Sequence, residues 1–275
     1  MAAQQSCAVA SGPPPNPSPN QWIEEGRQAY QRGEFARALE FYFRVLDASS
    51  PTADLWYDIG CLFALLQDRA QARTAFGRAL ALDPKFAAAY DALGQMAELE
   101  GNLVAARSSY ERATKIEPSH LKFLQHLARL ALRQEDTPKA LATLQQLLMT
   151  DPQNAPARYQ LGVLRLRLEM PELALYEFRK ALEFAPDDVL AWNGVGLAAM
   201  RLGDFEQAAS ALEQAARLDP HHAGTQTNLG LLAARRGQRD QARETWQRVL
   251  QAHPDFLPAV KNLEQLELTP TGPSP

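Results

Sequence analysis

The chain has 275 residues, 46% of them hydrophobic and 22% charged, which is the composition of a folded globular protein rather than a disordered one. A formal net charge of -4 gives no general attraction to phosphate backbones or anionic membranes, so nucleic acid is not expected as a partner. No uninterrupted apolar run reaches about 18 residues, so membrane insertion is not expected either. In chain order, residues 1–18 come first. They carry Pro13, Pro14, Pro15 and Pro17 among Ser, Gly and Asn and are expected to form a disordered tail. The tail has no basic n-region followed by a long apolar stretch, so it does not read as a secretory signal, and polar residues before Cys7 count against a lipoprotein signal.

From residue 19 onward one period governs the sequence. Pro84, Pro118, Pro152, Pro186, Pro220 and Pro254 are each 34 residues from the next. Alanine keeps the same beat at Ala38, Ala72, Ala106, Ala140, Ala174, Ala208 and Ala242. Glycine does so at Gly60, Gly94, Gly162, Gly196 and Gly230, with Ala128 in the one gap. Apolar residues within each unit fall at helical spacing, as in Trp56, Ile59 and Phe63. A fixed period of this length is the mark of a repeat array.

The array resembles the tetratricopeptide repeat (TPR) family. That pattern has a large residue at position 4, an apolar one at 7, Gly at 8, Ala at 20, an aromatic at 24, Ala at 27 and Pro at 32. The second repeat supplies Trp56, Ile59, Gly60, Ala72, Phe76, Ala79 and Pro84; the third supplies Tyr90, Leu93, Gly94, Ala106, Tyr110, Ala113 and Pro118. The sixth supplies Trp192, Val195, Gly196, Ala208, Leu212, Ala215 and Pro220. The resemblance implies an all-α, right-handed superhelical solenoid of helix-turn-helix repeats. Seven fit without insertion: 19–52, 53–86, 87–120, 121–154, 155–188, 189–222 and 223–256.

Small residues at positions 8 and 20 let helices A and B approach closely, and the aromatic at 24 fills the space beside them. Proline at 32 closes helix B, since its ring and missing N–H do not fit a helix interior. Pro138 and Pro171 fall where helix B starts, a position that tolerates proline, with Asp136 or Thr137 as the cap in the fourth repeat. That repeat departs furthest, with Leu124, Ala128, Leu144 and Leu147 at signature positions, and the fifth has Arg158 at position 4. Trp56 and Trp192 are expected to be buried against helix B. Residues 257–268 read as a capping helix, with Leu257, Val260 and Leu263 in register and Glu264 where glycine would stand. Residues 269–275 are a second Pro-rich tail, expected to be disordered.

Little in the chain suggests catalysis. The Gly194–Gly196 stretch, followed by Ala199, lies inside a helix A rather than after a strand, so it reads as packing and not as a dinucleotide turn. His221 and His222 could touch a metal, but no further ligand stands at suitable spacing, and surface loop histidines explain them. Cys61, at position 9 of a helix A, reads as a packed small residue. Neither it nor Cys7 has a disulfide or metal partner by spacing, which suits a reduced, cytoplasmic setting. No cofactor is expected.

The family resemblance implies that helix A positions 2, 5, 9, 12 and 13 line a concave groove. In repeats two and three these positions and their neighbours carry Asp54, Tyr57, Asp58, Asp91, Gln95 and Glu98, an acidic set. In repeats four to seven, position 13 is Arg133, Arg167, Arg201 and Arg235. Position 9 is Val163, Leu197 and Leu231, position 12 includes Leu132, Leu166 and Met200, and Tyr159 and Asn193 stand at position 5. The chaperone carboxylate clamp is not matched, because Ile23, Arg27, Asp58, Ala88 and Ala92 occupy its positions. An asparagine ladder is absent too, with only Asn228 and Asn262 at position 6.

An apolar strip flanked by arginines suits an acidic, amphipathic protein or peptide partner. A solvated charge row would look the same in sequence. The expected function is therefore a non-enzymatic scaffold or adaptor. Self-association into a TPR array, or service as the regulatory subunit of an enzyme acting in trans, are the alternatives.

Overall fold

The computed structural model describes residues 17–268. Most of the two expected tails lies outside the described residues. Ser18, read as the last tail residue, caps the first helix: Gln21 N donates to Ser18 Oγ at 3.4 Å and Ser18 N donates to Gln21 Oε1 at 2.7 Å. The chain divides into two compact units, Met1–Pro118 and Ser119–Pro275. In unit 1 the helices are α1 (Pro19–Gln31), α2 (Phe35–Ala48), α3 (Ala53–Leu65), α4 (Arg69–Leu82), α5 (Ala87–Leu99) and α6 (Leu103–Ile116). In unit 2 they are α7 (Leu121–Arg133), α8 (Thr137–Thr150), α9 (Ala155–Arg167), α10 (Pro171–Phe184), α11 (Val189–Leu202), α12 (Phe205–Leu218), α13 (Ala223–Arg235), α14 (Arg239–Ala252) and α15 (Leu257–Leu268). No strand occurs among the described residues. Nor, among them, is any helix long and apolar enough to cross a membrane.

Each helix A packs along its own helix B, and within each unit the next helix A packs on the preceding helix B. The signature residues explain the first contact. All seven position-20 alanines are fully buried. A Cβ added to Gly60 would lie 2.5 Å from Phe76 Cε1, one on Gly94 2.5 Å from Tyr110 Cε1, and one on Gly230 2.5 Å from Trp246 Nε1. At these three glycines no side chain fits without moving the facing ring. In the fourth repeat Leu124, Ala128, Leu144 and Leu147 are all buried, so aliphatic residues build that core as well as aromatics do.

The turn between helices A and B has its own rule. Position 15 takes positive φ in every repeat: Gly33, Gly101, Gly203 and Gly237 at 76 to 81°, and Gln67, Glu135 and Glu169 at 56 to 63°. The residue after it caps helix B where it can. Asp68, Asn102, Asp136 and Asp204 each accept a backbone N–H three residues on. Asp136, not Thr137, is thus the cap of α8, and Pro138 and Pro171 lie in the first turns of α8 and α10.

One expectation needs correction. Trp56 and Trp192 are half-buried, not buried. Position 4 lies at the edge of the helix pair and uses its polar side. Trp192 Nε1 donates to Pro186 O at 2.8 Å, and the Arg78 guanidinium lies 4.4 Å over the Trp56 ring. Arg158 Nε and Gln226 Nε2, at the same position, donate to Pro152 O at 2.9 Å and Pro220 O at 3.0 Å. This side chain ties helix A to the carbonyl of the preceding helix-closing proline. Arg158 and Arg165 also converge on Glu177, at 3.0 and 2.8 Å, forming a nearly dry ion cluster inside the fifth repeat.

Helix α15 packs on α13 and α14 through Ala259, Leu263 and Leu266. Glu264 is exposed, and so is Leu257, which register alone would have turned inward. Arg239 donates to Leu266 O, tying the end of this helix down.

Candidate functional site

In unit 2 the A helices form a row: α9 packs beside α11, and α11 beside α13. Small residues of α11 let it approach both neighbouring B helices. A Cβ on Gly194 would fall 2.6 Å from the Phe178 ring of the preceding helix B, while one on Gly196 would fall 2.7 Å from Leu212 Cγ. The two glycines of this stretch serve two different helix contacts.

Along the row runs a cavity of about 380 Å³. Tyr159, Val163, Leu166 and Leu197 give its apolar surface, with Phe178 behind them. The Tyr159 and Phe178 rings lie 5.7 Å apart, tilted by 48°. Burial raises the Tyr159 hydroxyl pKa, and the Asp188 carboxylate adds to the effect. Arg167 and Arg201 line the same cavity and are exposed to solvent. Among the described residues no acidic side chain lines it. A smaller hollow of about 170 Å³ adjoins, lined by Leu132, Gln160 and again Tyr159, Val163 and Arg167.

Two family models, each described as tetratricopeptide repeat, match the chain, one over residues 97–161 and 199–266 and the other over 57–120. The chain belongs to the tetratricopeptide repeat family. Its solved structural neighbours are TPR proteins too. YrrB, described as a TPR protein with an unusual peptide-binding site, is 23% identical with a TM-score of 0.57, over 69% of this chain and 98% of that one. The pilF protein of Pseudomonas aeruginosa is 18% identical with a TM-score of 0.60, over 78% of this chain and 97% of that one. A tetratricopeptide repeat protein of Parabacteroides merdae is 14% identical with a TM-score of 0.58, over 90% and 98%. At these identities the likeness is one of fold. No curated protein matches the sequence.

The TPR groove positions do not all meet at one place. Tyr159, Val163, Leu166, Arg167, Asn193, Leu197 and Arg201 share the larger cavity. Leu231 and Arg235 belong instead to a separate hollow of about 300 Å³, with Ala234 and Asn262. Arg133, exposed at the end of α7, lines neither. Met200 departs from the groove expectation: it is 9% exposed and packs among Ala199, Ala208, Leu212 and Leu232. Asn193 touches the cavity but is already engaged. Its Nδ2 donates to Val189 O at 2.8 Å and Thr225 Oγ1 at 2.7 Å, and its Oδ1 accepts from Asn228 Nδ2 at 2.9 Å.

Sequence reasoning gave His222 no role beyond a loop. It caps α13, accepting Thr225 N at 3.1 Å on Nδ1, and also lines the cavity. The signal was its place just before a helix A, where a side-chain acceptor is wanted. Among the described residues no group of three or more His, Cys, Asp or Glu side chains could hold a metal ion. Of the acidic set in unit 1, Asp91 is buried and accepts from Gln95 Nε2 at 2.8 Å, and Glu98 accepts from Tyr110 Oη at 2.7 Å. Asp54 and Asp58 remain exposed.

Proposed function

We propose that this TPR protein is a non-enzymatic, cytoplasmic adaptor that holds an acidic, amphipathic segment of a partner protein along the A-helix row of unit 2. The observation that carries the reading is the cavity between α9, α11 and α13, where apolar side chains and two exposed arginines converge with no carboxylate among the described lining residues. TPR arrays serve as protein-interaction modules as a class, and the related fold of YrrB is described with a peptide-binding site. Apolar side chains of the partner would each gain roughly 1.5–3 kcal/mol if well covered. The arginines would govern register and encounter rate more than affinity.

The test uses charge reversal. A pull-down with mass spectrometry identifies the partner, whose acidic segment is then titrated against the intact chain. Arg167→Glu with Arg201→Glu should abolish binding while the helical signal and Tm stay nearly unchanged. Arg179→Glu with Arg217→Glu, exposed on α10 and α12, should leave binding as it was. Binding should also weaken as salt rises, because exposed charges are screened. Equal loss in the two double variants, or loss in neither, would reject the groove.

A further inference from the structure

The seventh repeat lacks a ring that other repeats supply for themselves. In repeats 2 and 3 the aromatic at position 4 lies beneath the arginine at position 26: Arg78 stands 4.4 Å over the Trp56 ring and Arg112 5.5 Å over the Tyr90 ring. In repeat 7 the arginine remains, as Arg248, but position 4 is Gln226. Gln226 Nε2 donates to Pro220 O at 3.0 Å, as Trp192 Nε1 donates to Pro186 O in repeat 6. The glutamine thus keeps the hydrogen bond of a tryptophan without its ring. A cavity of about 280 Å³ lies beside Gln226 and Arg248, with Ala223, Val249 and Ala252 as its apolar wall. It shares no lining residue with the cavity along the A-helix row.

The polar lining selects a charge. Among the described residues the Arg248 guanidinium has no carboxylate and no ring as a partner, only Thr245 Oγ1 at 3.4 Å. His221 and His253 line the same cavity and bring imidazole N–H donors. No carboxylate stands among the described lining residues. Asp219, next to His221 in sequence, accepts the His221 backbone N–H at 3.0 Å. An anion here meets donors and a full positive charge, whereas a cation meets nothing to pair with. A ring entering the cavity would give Arg248 the cation–π contact that Arg78 already has. The residues of this sequence before 17 and after 268 contain no Phe, Trp or Tyr, so they do not supply that ring.

We propose that this cavity is a docking pocket outside the groove, taking the tryptophan or tyrosine side chain of an acidic partner-protein segment in the place that repeats 2 and 3 fill with Trp56 and Tyr90. The ring lies against Arg248 and the apolar wall, and the flanking carboxylates face Arg248, His221 and His253. The pocket does not depend on the groove site proposed above, and either can fail without the other.

The experiment titrates the full-length chain with a capped Glu-Trp-Glu peptide, followed by chemical shifts at Gln226, Arg248 and His253. Capped Glu-Leu-Glu, which lacks the ring, and Gln-Trp-Gln, which lacks the charge, are run beside it. Loss of the ring should weaken binding about tenfold or more. Loss of the charges should weaken it about threefold, the scale of solvent-exposed ion pairs. Arg248→Gln should weaken the Glu-Trp-Glu peptide about tenfold. Gln226→Trp gives the repeat its own ring, so it should abolish binding while Tm holds or rises, a combination that damage to the fold does not produce. Arg167→Glu with Arg201→Glu should change nothing here. Equal binding of the tryptophan and leucine peptides, indifference to Arg248→Gln, or full binding by Gln226→Trp would each overturn the assignment. So would a fall in Tm of Gln226→Trp, since no ring would then fit. Dimerisation of the chain by light scattering, lost in Gln226→Trp, would give the pocket to a second copy and overturn it too.

Discussion

Position 15 shows how much one residue can matter in a repeat. Its left-handed backbone suits glycine, yet Gln67, Glu135 and Glu169 occupy it in three repeats. A side chain there costs about 1–2 kcal/mol through contact of Cβ with the carbonyl. Glu135→Gly and Glu169→Gly should therefore each stabilise the chain by about 1 kcal/mol, despite glycine's greater freedom when unfolded. Urea denaturation measures this, and a loss of stability would show that the glutamate side chains contribute more than the backbone strain. Cys61 supplies a second residue-scale expectation. Burial pushes its thiol up to about 11 from an ordinary 9.0, with the Tyr57 hydrogen bond offsetting only part of the rise. A raised acid favours the folded state while protonated. Its contribution should thus be complete below pH 9 and fade as pH rises toward 11. In a Cys7→Ser background, alkylation of Cys61 at pH 8 to 10 should be much slower than that of a free thiol and should accelerate on unfolding. Rapid alkylation of the folded chain at pH 8 would contradict this burial.

At the scale of the element, the A–B helix pair is defined by a missing side chain. Gly94→Ala would drive a methyl to 2.5 Å from the Tyr110 ring and should cost about 1–3 kcal/mol, the usual penalty of overpacking. Gly77→Ala is the matched control. It lies in α4 with nothing within 4 Å of the added Cβ, and should stabilise by roughly 0.5–1 kcal/mol through helix propensity. Chemical denaturation of the two variants should give opposite signs; the same sign in both would show that glycine's flexibility, not close approach, governs position 8. The contrast also shows why glycines of a helical repeat array are not equivalent: one faces a ring and the other faces water.

For the whole molecule, nearest-neighbour packing makes stability a local property. Trp246 is 2% exposed, with its indole N–H donating to Thr227 O at 2.9 Å, so Trp246→Ala should cost about 3–5 kcal/mol. Trp192→Ala, at a half-buried edge, should cost clearly less. Hydrogen exchange of Trp246→Ala should show lost protection in α13 to α15 and unchanged protection in unit 1; uniform loss across both units would mean that the chain unfolds as one body. The same locality explains what could be read from residues alone. The period, the helix pairs, the buried alanines and the ring-on-glycine contact follow from the sequence, because each depends on residues less than one repeat apart. The cap at Asp136 and the left-handed turn were legible in principle for the same reason. The placement of groove residues was not. Met200 turns inward onto Leu212 and Leu232, and Asn193 is tied to Thr225 of the next repeat, contacts that one repeat's pattern does not contain. The cavity shared by His221 and Arg248, the closed row at Gly194 and the division into two units likewise belong to the tertiary structure, since no single repeat contains the contacts that decide them.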